Sequence, residues 1–122
     1  MNDNDTTTNM GQEAEKLAAR FLEKHGLTVR ARNYRCRGGE IDLVCRSGKI
    51  LVFVEVRFRS NAAFGGAGAS ITLSKQRRII LAAQHYLQAN KQYDCDCRFD
   101  CLLLDSLSEE KIHWVRNAFS AS

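Results

Sequence analysis

Proline is absent from this chain of 122 residues, and no repeat or low-complexity segment appears. No proline-rich linker therefore divides it, and its length fits one domain able to bury a core without staples. Long apolar runs are missing too: none approaches the roughly 20 residues that span a bilayer. Residues 1–9 are polar and acidic and lack the basic-then-apolar order of a signal peptide, so the expected home is the cytoplasm, with no membrane partner. An even set of cysteines is also lacking. Cys36, Cys45, Cys95, Cys97 and Cys101 make five in a chain without a secretion signal, which argues against a disulfide framework. Cys95-x-Cys97-x3-Cys101 lacks the paired Cys-x2-Cys knuckles of a zinc site, and Cys101 falls where a small buried thiol is ordinary.

Acid is missing from one long stretch. Residues 60–90 contain no Asp or Glu, and 30–90 as a whole carry a net charge of +8, whereas 1–29 and 91–122 each carry −2. A basic centre between acidic ends fits a face that binds a polyanion, although a solvated basic surface would look the same by charge alone. The candidate contacts for a nucleic acid are Arg30, Arg32, Arg35, Arg37, Arg59, Arg77 and Arg78.

Periodicity sets out the elements. Ala14, Leu17, Ala18, Phe21 and Leu22 form an apolar stripe on a helix from about Met10 to His25, closed by Gly26. Residues 1–9 read as a disordered tail before a single domain over 10–122. Three strands follow. Leu27 to Tyr34 alternates, and short turns at Cys36–Gly39 and Ser47–Gly48 make the three an antiparallel meander. Residues 61–70 read as a flexible glycine-rich loop. Ser74 is the expected N-cap of a second helix to about Asn90, with Gln76, Ile80, Ala83 and Leu87 as its inner line and Ile79, Ala82 and Tyr86 widening it. Lys75, Arg77 and Arg78 crowd its first turn, against the helix dipole, which makes sense if an anion binds there. The strands Arg98 to Asp105 and Ile112 to Phe119 complete the order α-β-β-β-α-β-β, the second lying at an edge.

Two carboxylates stand out in the apolar strands. Alternation puts Glu40, Asp42 and Val44 on one face of the second strand, and Leu51, Phe53, Glu55 and Arg57 on one face of the third. Burying an unpaired charge among Phe and Val is costly, so Asp42 is the natural companion of Glu55. Such a pair suggests a divalent metal, and the neighbouring arginine suggests a phosphate. Glu13, at the edge of the first helix's stripe, either reaches inward beside the sheet or complements the helix N-terminus.

The motifs Gly11-Gln12-x-Ala14-Glu15, Gly38-Gly39-Glu40-Ile41-Asp42-Leu43-Val44, Val52-Phe53-Val54-Glu55-Val56-Arg57 and Lys75-Gln76-Arg77-Arg78-Ile79 resemble the YraN family of small bacterial proteins. The likeness runs from about residue 10 to 119. That family resembles the archaeal Holliday junction resolvases of the PD-(D/E)xK nuclease-like superfamily. The resemblance implies an α/β, restriction-endonuclease-like α-β-β-β-α-β core, with a mixed central sheet flanked by two helices. It also implies a metal-dependent endonuclease acting on DNA, possibly on branched junctions, and a homodimer. Asp42, Glu55 and Glu13 match the carboxylates that hold Mg²⁺ or Mn²⁺. The superfamily's lysine, two residues beyond the second carboxylate, is here Arg57, which cannot act as a general base. Lys75 is the candidate to supply the missing ammonium. The alternative expectation is a nucleic-acid-binding protein whose nuclease site is degenerate.

Overall fold

A computed structural model describes residues 3–58, 71–92 and 94–121, with side chains from Gly11 onward. Arg59 and the loop expected over 61–70 lie outside the described residues. Helix α1 spans Asp3–Lys24, strands β1, β2 and β3 span Thr28–Cys36, Gly39–Ser47 and Ile50–Phe58, and helix α2 spans Leu73–Ala89. Strands β4 (Cys97–Leu104) and β5 (Ile112–Phe119) follow, joined through a single 3-10 turn at Glu109–Lys111.

The α1 backbone begins at Asp3, not near Met10, so the segment expected as a tail over 1–9 is helical from Asp3 on. No proline precedes Gly11 to stop a helix there, and the apolar stripe that suggested a start at Met10 marks only where burial begins. At the other end Gly26, with φ of +92°, closes α1 in a Schellman turn, its N–H and that of Leu27 donating to Glu23 and Leu22.

The five strands lie in the order β1-β2-β3-β4-β5. The first three form the antiparallel meander, and α2 carries the chain over to β4, which runs parallel to β3 from Leu51↔Cys97 to Phe58↔Leu104. Strand β5 returns antiparallel at the edge. The mixed sheet and its two flanking helices are the core that the resemblance implied.

Each face of the sheet has its own core. Ala14, Leu17, Ala18 and Leu22 of α1 pack on Leu43, Cys45, Val52 and Val54, with Trp114 and Phe21 at the margin. On the opposite face Ile79, Ala82, Ala83 and Tyr86 of α2 pack on Val44, Leu51, Phe53, Phe99 and Leu103. Of the expected inner face of α2, Ala83 and the widening residues Ile79, Ala82 and Tyr86 are the buried centre, while Gln76, Ile80 and Leu87 flank them, half-buried. Gly39 is the reason. A Cβ there would stand 2.5 Å from the Arg78 carbonyl oxygen and 3.0 Å from the Ala82 nitrogen, so the helix backbone rests directly on β2. Small residues must meet at such an approach.

Gly39→Ala should therefore destabilise the protein by about 1–3 kcal/mol, the usual cost of overpacking against atoms that cannot rotate away. Urea unfolding checks this, and a cost of a few tenths of a kcal/mol would show that α2 can lift from β2 freely. Burial also pushes the Cys45 and Cys101 thiols up to about 12, which leaves them inert in the core. No helix among the described residues is long and apolar enough to cross a membrane.

Candidate active site

The ladder between β2 and β3 runs from Ser47↔Ile50 to Leu43↔Val54 and stops there. One position further on, Asp42 and Glu55 would come next. At that point the alternation of β2 slips by a residue, because Ile41 packs in the α2-side core together with Val44. The expectation that β2 alternates regularly through Glu40, Asp42 and Val44 is corrected accordingly. Asp42 takes the role that a backbone carbonyl would have had: its Oδ2 accepts the Val56 N–H at 2.8 Å. Parting strands thus open a notch in an otherwise continuous sheet, and the two carboxyl groups meet in it.

Asp42 and Glu55 hydrogen-bond to one another. Glu55 is only 8% exposed. Burial first, and Asp42 next, push its carboxyl from an ordinary 4.5 up to about 9, so at neutral pH it holds a proton. The folded protein therefore binds a proton that the unfolded chain releases. Its stability falls as pH rises from about 5 to 9, the window between the unfolded and folded values. Glu55→Gln should flatten that slope in thermal melts without divalent ions, and should raise the melting temperature at pH 8. An unchanged slope would show that Glu55 ionises in the folded state as it does in water.

Lys75 reaches this pair from α2. Its cap is Thr72, whose Oγ1 accepts the Lys75 N–H at 3.1 Å; Ser74, the expected N-cap, lies inside the helix. The earlier start turns Lys75 toward the sheet, where its Nζ lies 3.0 Å from Glu40 Oε1 and 3.5 Å from Glu55 Oε2. Burial opposes the ammonium charge, but Glu55, Glu40 and Asp42 outweigh it and raise the Lys75 pKa. Lys75 is therefore a fixed positive charge at neutral pH, not a base. With Glu55, Arg57 and Thr72 it lines a hollow of about 270 Å³.

Glu40 gathers the surrounding cations. Besides Lys75, Arg78 Nη2 lies 3.3 Å from its Oε1 and Arg35 Nε lies 3.9 Å from its Oε2. The Lys75 hydrogen bond, opposed by burial and helped by the charges of Lys75, Arg78 and Arg35, holds the Glu40 carboxyl below its usual range. Sequence reasoning passed over Glu40, although it stands two residues before Asp42.

Glu13 is not brought to the site. It is exposed and pairs with Lys16 at 3.5 Å on the outer side of α1. The acidic residue that α1 turns toward Asp42 is Glu15. Its pKa is raised by burial and then by Asp42, against a hydrogen bond from Asn33 and the charges of Arg35 and Arg32. Asn33 faces it from a left-handed kink in β1, with φ of 51°. The available signal was the small pair Ala18-Ala19: Glu15 precedes both by one helical turn and precedes Leu22 by two, and all three are buried.

The other basic candidates divide into two groups. Arg32 pairs with Glu23 at 3.9 Å and lines a second hollow with Glu15, Lys16 and Asn33. Arg30, Arg37 and Arg77 are exposed, on β1, in the β1–β2 turn and on α2 respectively. Among the described residues no three His, Cys, Asp or Glu side chains form a ready-made metal cage. Two converging carboxylates nevertheless suit an oxygen-loving ion such as Mg²⁺, which usually takes one or two of them and completes its shell with water and phosphate.

Fold and site define an α/β protein with helices on both faces of a mixed sheet and a carboxylate pair, answered by an ammonium, where two strands part. Residues 14–104 match the uncharacterised protein family UPF0102, and the chain belongs to that family, the one to which its motifs pointed. It is 64% identical to a UPF0102 protein of Dechloromonas aromatica (strain RCB) over 118 residues, which is 97% of this chain and 94% of the relative. A UPF0102 protein of Methylobacillus flagellatus is 54% identical over 112 residues, 92% of this chain and 97% of the relative.

Proposed function

We propose that this protein is a metal-dependent endonuclease acting on DNA. The observation that carries the reading is the meeting of Asp42, Glu55 and Lys75 in one notch, beside the cations Arg35, Arg57 and Arg78. Asp42 and Glu55 would hold Mg²⁺ or Mn²⁺, which when bound supplies neutralisation of phosphoryl charge and activation of water. Lys75 places a permanent positive charge beside the pair, where negative charge develops in a phosphoryl displacement. Arg57 lines the same hollow, and its planar fork suits a phosphate even though it cannot take a proton from water. Arg78 and Arg35, steered by Glu40, extend the positive rim toward a flanking phosphate. Glu15 stands behind Asp42 and keeps the notch acidic. The likeness of the motifs to the PD-(D/E)xK nucleases supports the same assignment, as does the basic charge of the central segment.

The test is a cleavage screen of linear, single-stranded and four-way-junction DNA with Mg²⁺ and with Mn²⁺. Cleavage that requires the ion supports the reading, and cutting confined to junctions would place the protein beside the resolvases. A second reading rests on Arg57 standing where those nucleases carry lysine: a protein that binds DNA equally well with and without the ion and cuts none of these substrates. A homodimer, implied by the same resemblance, is open to sedimentation equilibrium.

Binding itself should be steeply salt-dependent, each phosphate contact adding about 0.9 to the log–log slope on duplex DNA. Arg37→Ala and Arg77→Ala should each lower that slope more than Arg32→Ala, because Arg32 already shares its charge with Glu23. A flat salt dependence would remove any role in binding nucleic acid.

A further inference from the structure

The first two turns of α2 hold Lys75 and Arg78, and the helix has no acidic residue of its own to answer them. Cations at that end oppose the helix dipole, which is why the sequence pattern led to the expectation of a bound anion. The fold supplies an anion from within. One oxygen of Glu40 accepts from Lys75 Nζ at 3.0 Å and from Arg78 Nη2 at 3.3 Å, and the other faces Arg35 Nε at 3.9 Å. A single carboxylate on β2 thus answers three cations drawn from β1 and α2, and leaves the group with an excess of positive charge.

Glu40 is anchored, whereas two of its partners are not. Gly39, next to it, is pressed on the α2 backbone at Arg78 and Ala82, and Arg35 stands opposite Glu40 in the β1–β2 ladder. The Glu40 side chain is 30% exposed, while those of Arg78 and Arg35 are 52% and 74% exposed at the ends of flexible stems. Exposed ion pairs contribute little each, so either guanidinium can turn outward while the backbone stays as it is. Lys75 differs: it is half-buried and is held at 3.5 Å by Glu55 as well, so it stays between the two acids. The two oxygens of a carboxylate offer a guanidinium what the two non-bridging oxygens of a phosphodiester offer, with the same single negative charge.

We propose that Glu40 is an internal stand-in for a DNA phosphate. In the free protein it occupies Arg35 and Arg78. When DNA binds, the phosphate flanking the one at Asp42 and Glu55 takes over both guanidinium groups, and Glu40 keeps Lys75 alone. The inference rests on the nuclease reading and adds to it a restraint on affinity: every binding event must first displace an anion that the protein carries itself. A carboxylate that served only to hold the fold together would weaken binding when removed, by loosening the rim. A stand-in does the opposite.

The test is the affinity of Glu40→Gln for a labelled DNA duplex, measured in Ca²⁺ and again without a divalent ion. The amide keeps the shape of the side chain and removes its charge. Binding should tighten about two- to tenfold, the range that releasing one or two exposed ion pairs spans. Tightening in both conditions separates the exchange from a change at the Asp42 and Glu55 ion site; tightening in Ca²⁺ alone overturns it. Arg78→Ala should cost more affinity in the Glu40→Gln protein than in the wild type, because there its charge is no longer shared with Glu40. Glu109→Gln removes one acid at the C-terminal end of α1, where Glu109 holds Lys24 and Arg20, and should leave affinity within about twofold. Unchanged or weaker binding by Glu40→Gln, or equal tightening by Glu109→Gln, overturns the exchange, while cleavage by the wild-type protein decides the nuclease reading separately. Should Glu40→Gln fail to fold, Glu40→Ala takes its place in the same comparison. Failure of the wild-type protein to bind DNA at low salt overturns both readings.

Discussion

Asp42→Asn should lower ion-dependent cleavage by at least about a hundredfold, in the range seen when one preorganised electrostatic group is removed, while the protein keeps its fold. The amide oxygen of asparagine can still accept the Val56 N–H that Asp42 now holds at 2.8 Å. Its NH₂ can donate to Glu55, replacing the proton that the two acids share. The negative charge beside Glu55 disappears, so the Glu55 carboxyl should fall from about 9 and ionise more readily. Stability at pH 8 should rise, and its decline toward alkaline pH should weaken. Two measurements read this together: single-turnover cleavage at saturating protein, and thermal melts between pH 5 and pH 9. Full cleavage by Asp42→Asn would remove the carboxylate pair from the mechanism, whatever the melts show.

Lys75→Ala should also lower single-turnover cleavage about a hundredfold, by removing a fixed charge from the reacting centre, and should weaken DNA binding only modestly. The helix start survives the substitution because Thr72 bonds the Lys75 backbone N–H. Glu40 keeps Arg78 and Arg35, so the outer rim stays positive. Arg57→Lys, by contrast, should preserve or raise cleavage, since it restores the lysine of the resembling nucleases on a strand that already faces the hollow. Binding of an uncleaved substrate in Ca²⁺ separates the two effects. Unchanged cleavage by Lys75→Ala would leave Arg57 as the cation at the site. A rise of activity with pH is not expected from Lys75, because the surrounding carboxylates hold its ammonium charged.

The contrast between Glu13 and Glu15 shows where reading along a chain loses the site. Both flank Ala14 on α1, and the stripe of Ala14, Leu17 and Phe21 favours neither strongly. Which one turns toward Asp42 depends on how α1 rolls on the sheet. That roll is set by Ala18, Ala19 and Leu22 against Leu43 and Val54, contacts between residues far apart in sequence. The N-cap shift has the same character. Ser74 and Thr72 are both good caps, and only the docking of α2 on Gly39 selects the turn that aims Lys75 at Glu55.

The sequence by itself determined the element order, the antiparallel meander, the edge position of the last strand, the family, and the pairing of Asp42 with Glu55. The family rests on the resemblance of its motifs, and the others on local chemistry: period-two and helical periodicity, short turns, and the cost of burying a lone carboxylate among Phe and Val. Tertiary structure alone decided that the ladder stops at Leu43↔Val54, that Glu15 and not Glu13 backs the pair, and that Glu40 collects Lys75, Arg78 and Arg35. These depend on register, roll and close approach between segments distant along the chain. A shift of one residue or part of a helical turn there changes which charges meet, while leaving every local pattern as it was.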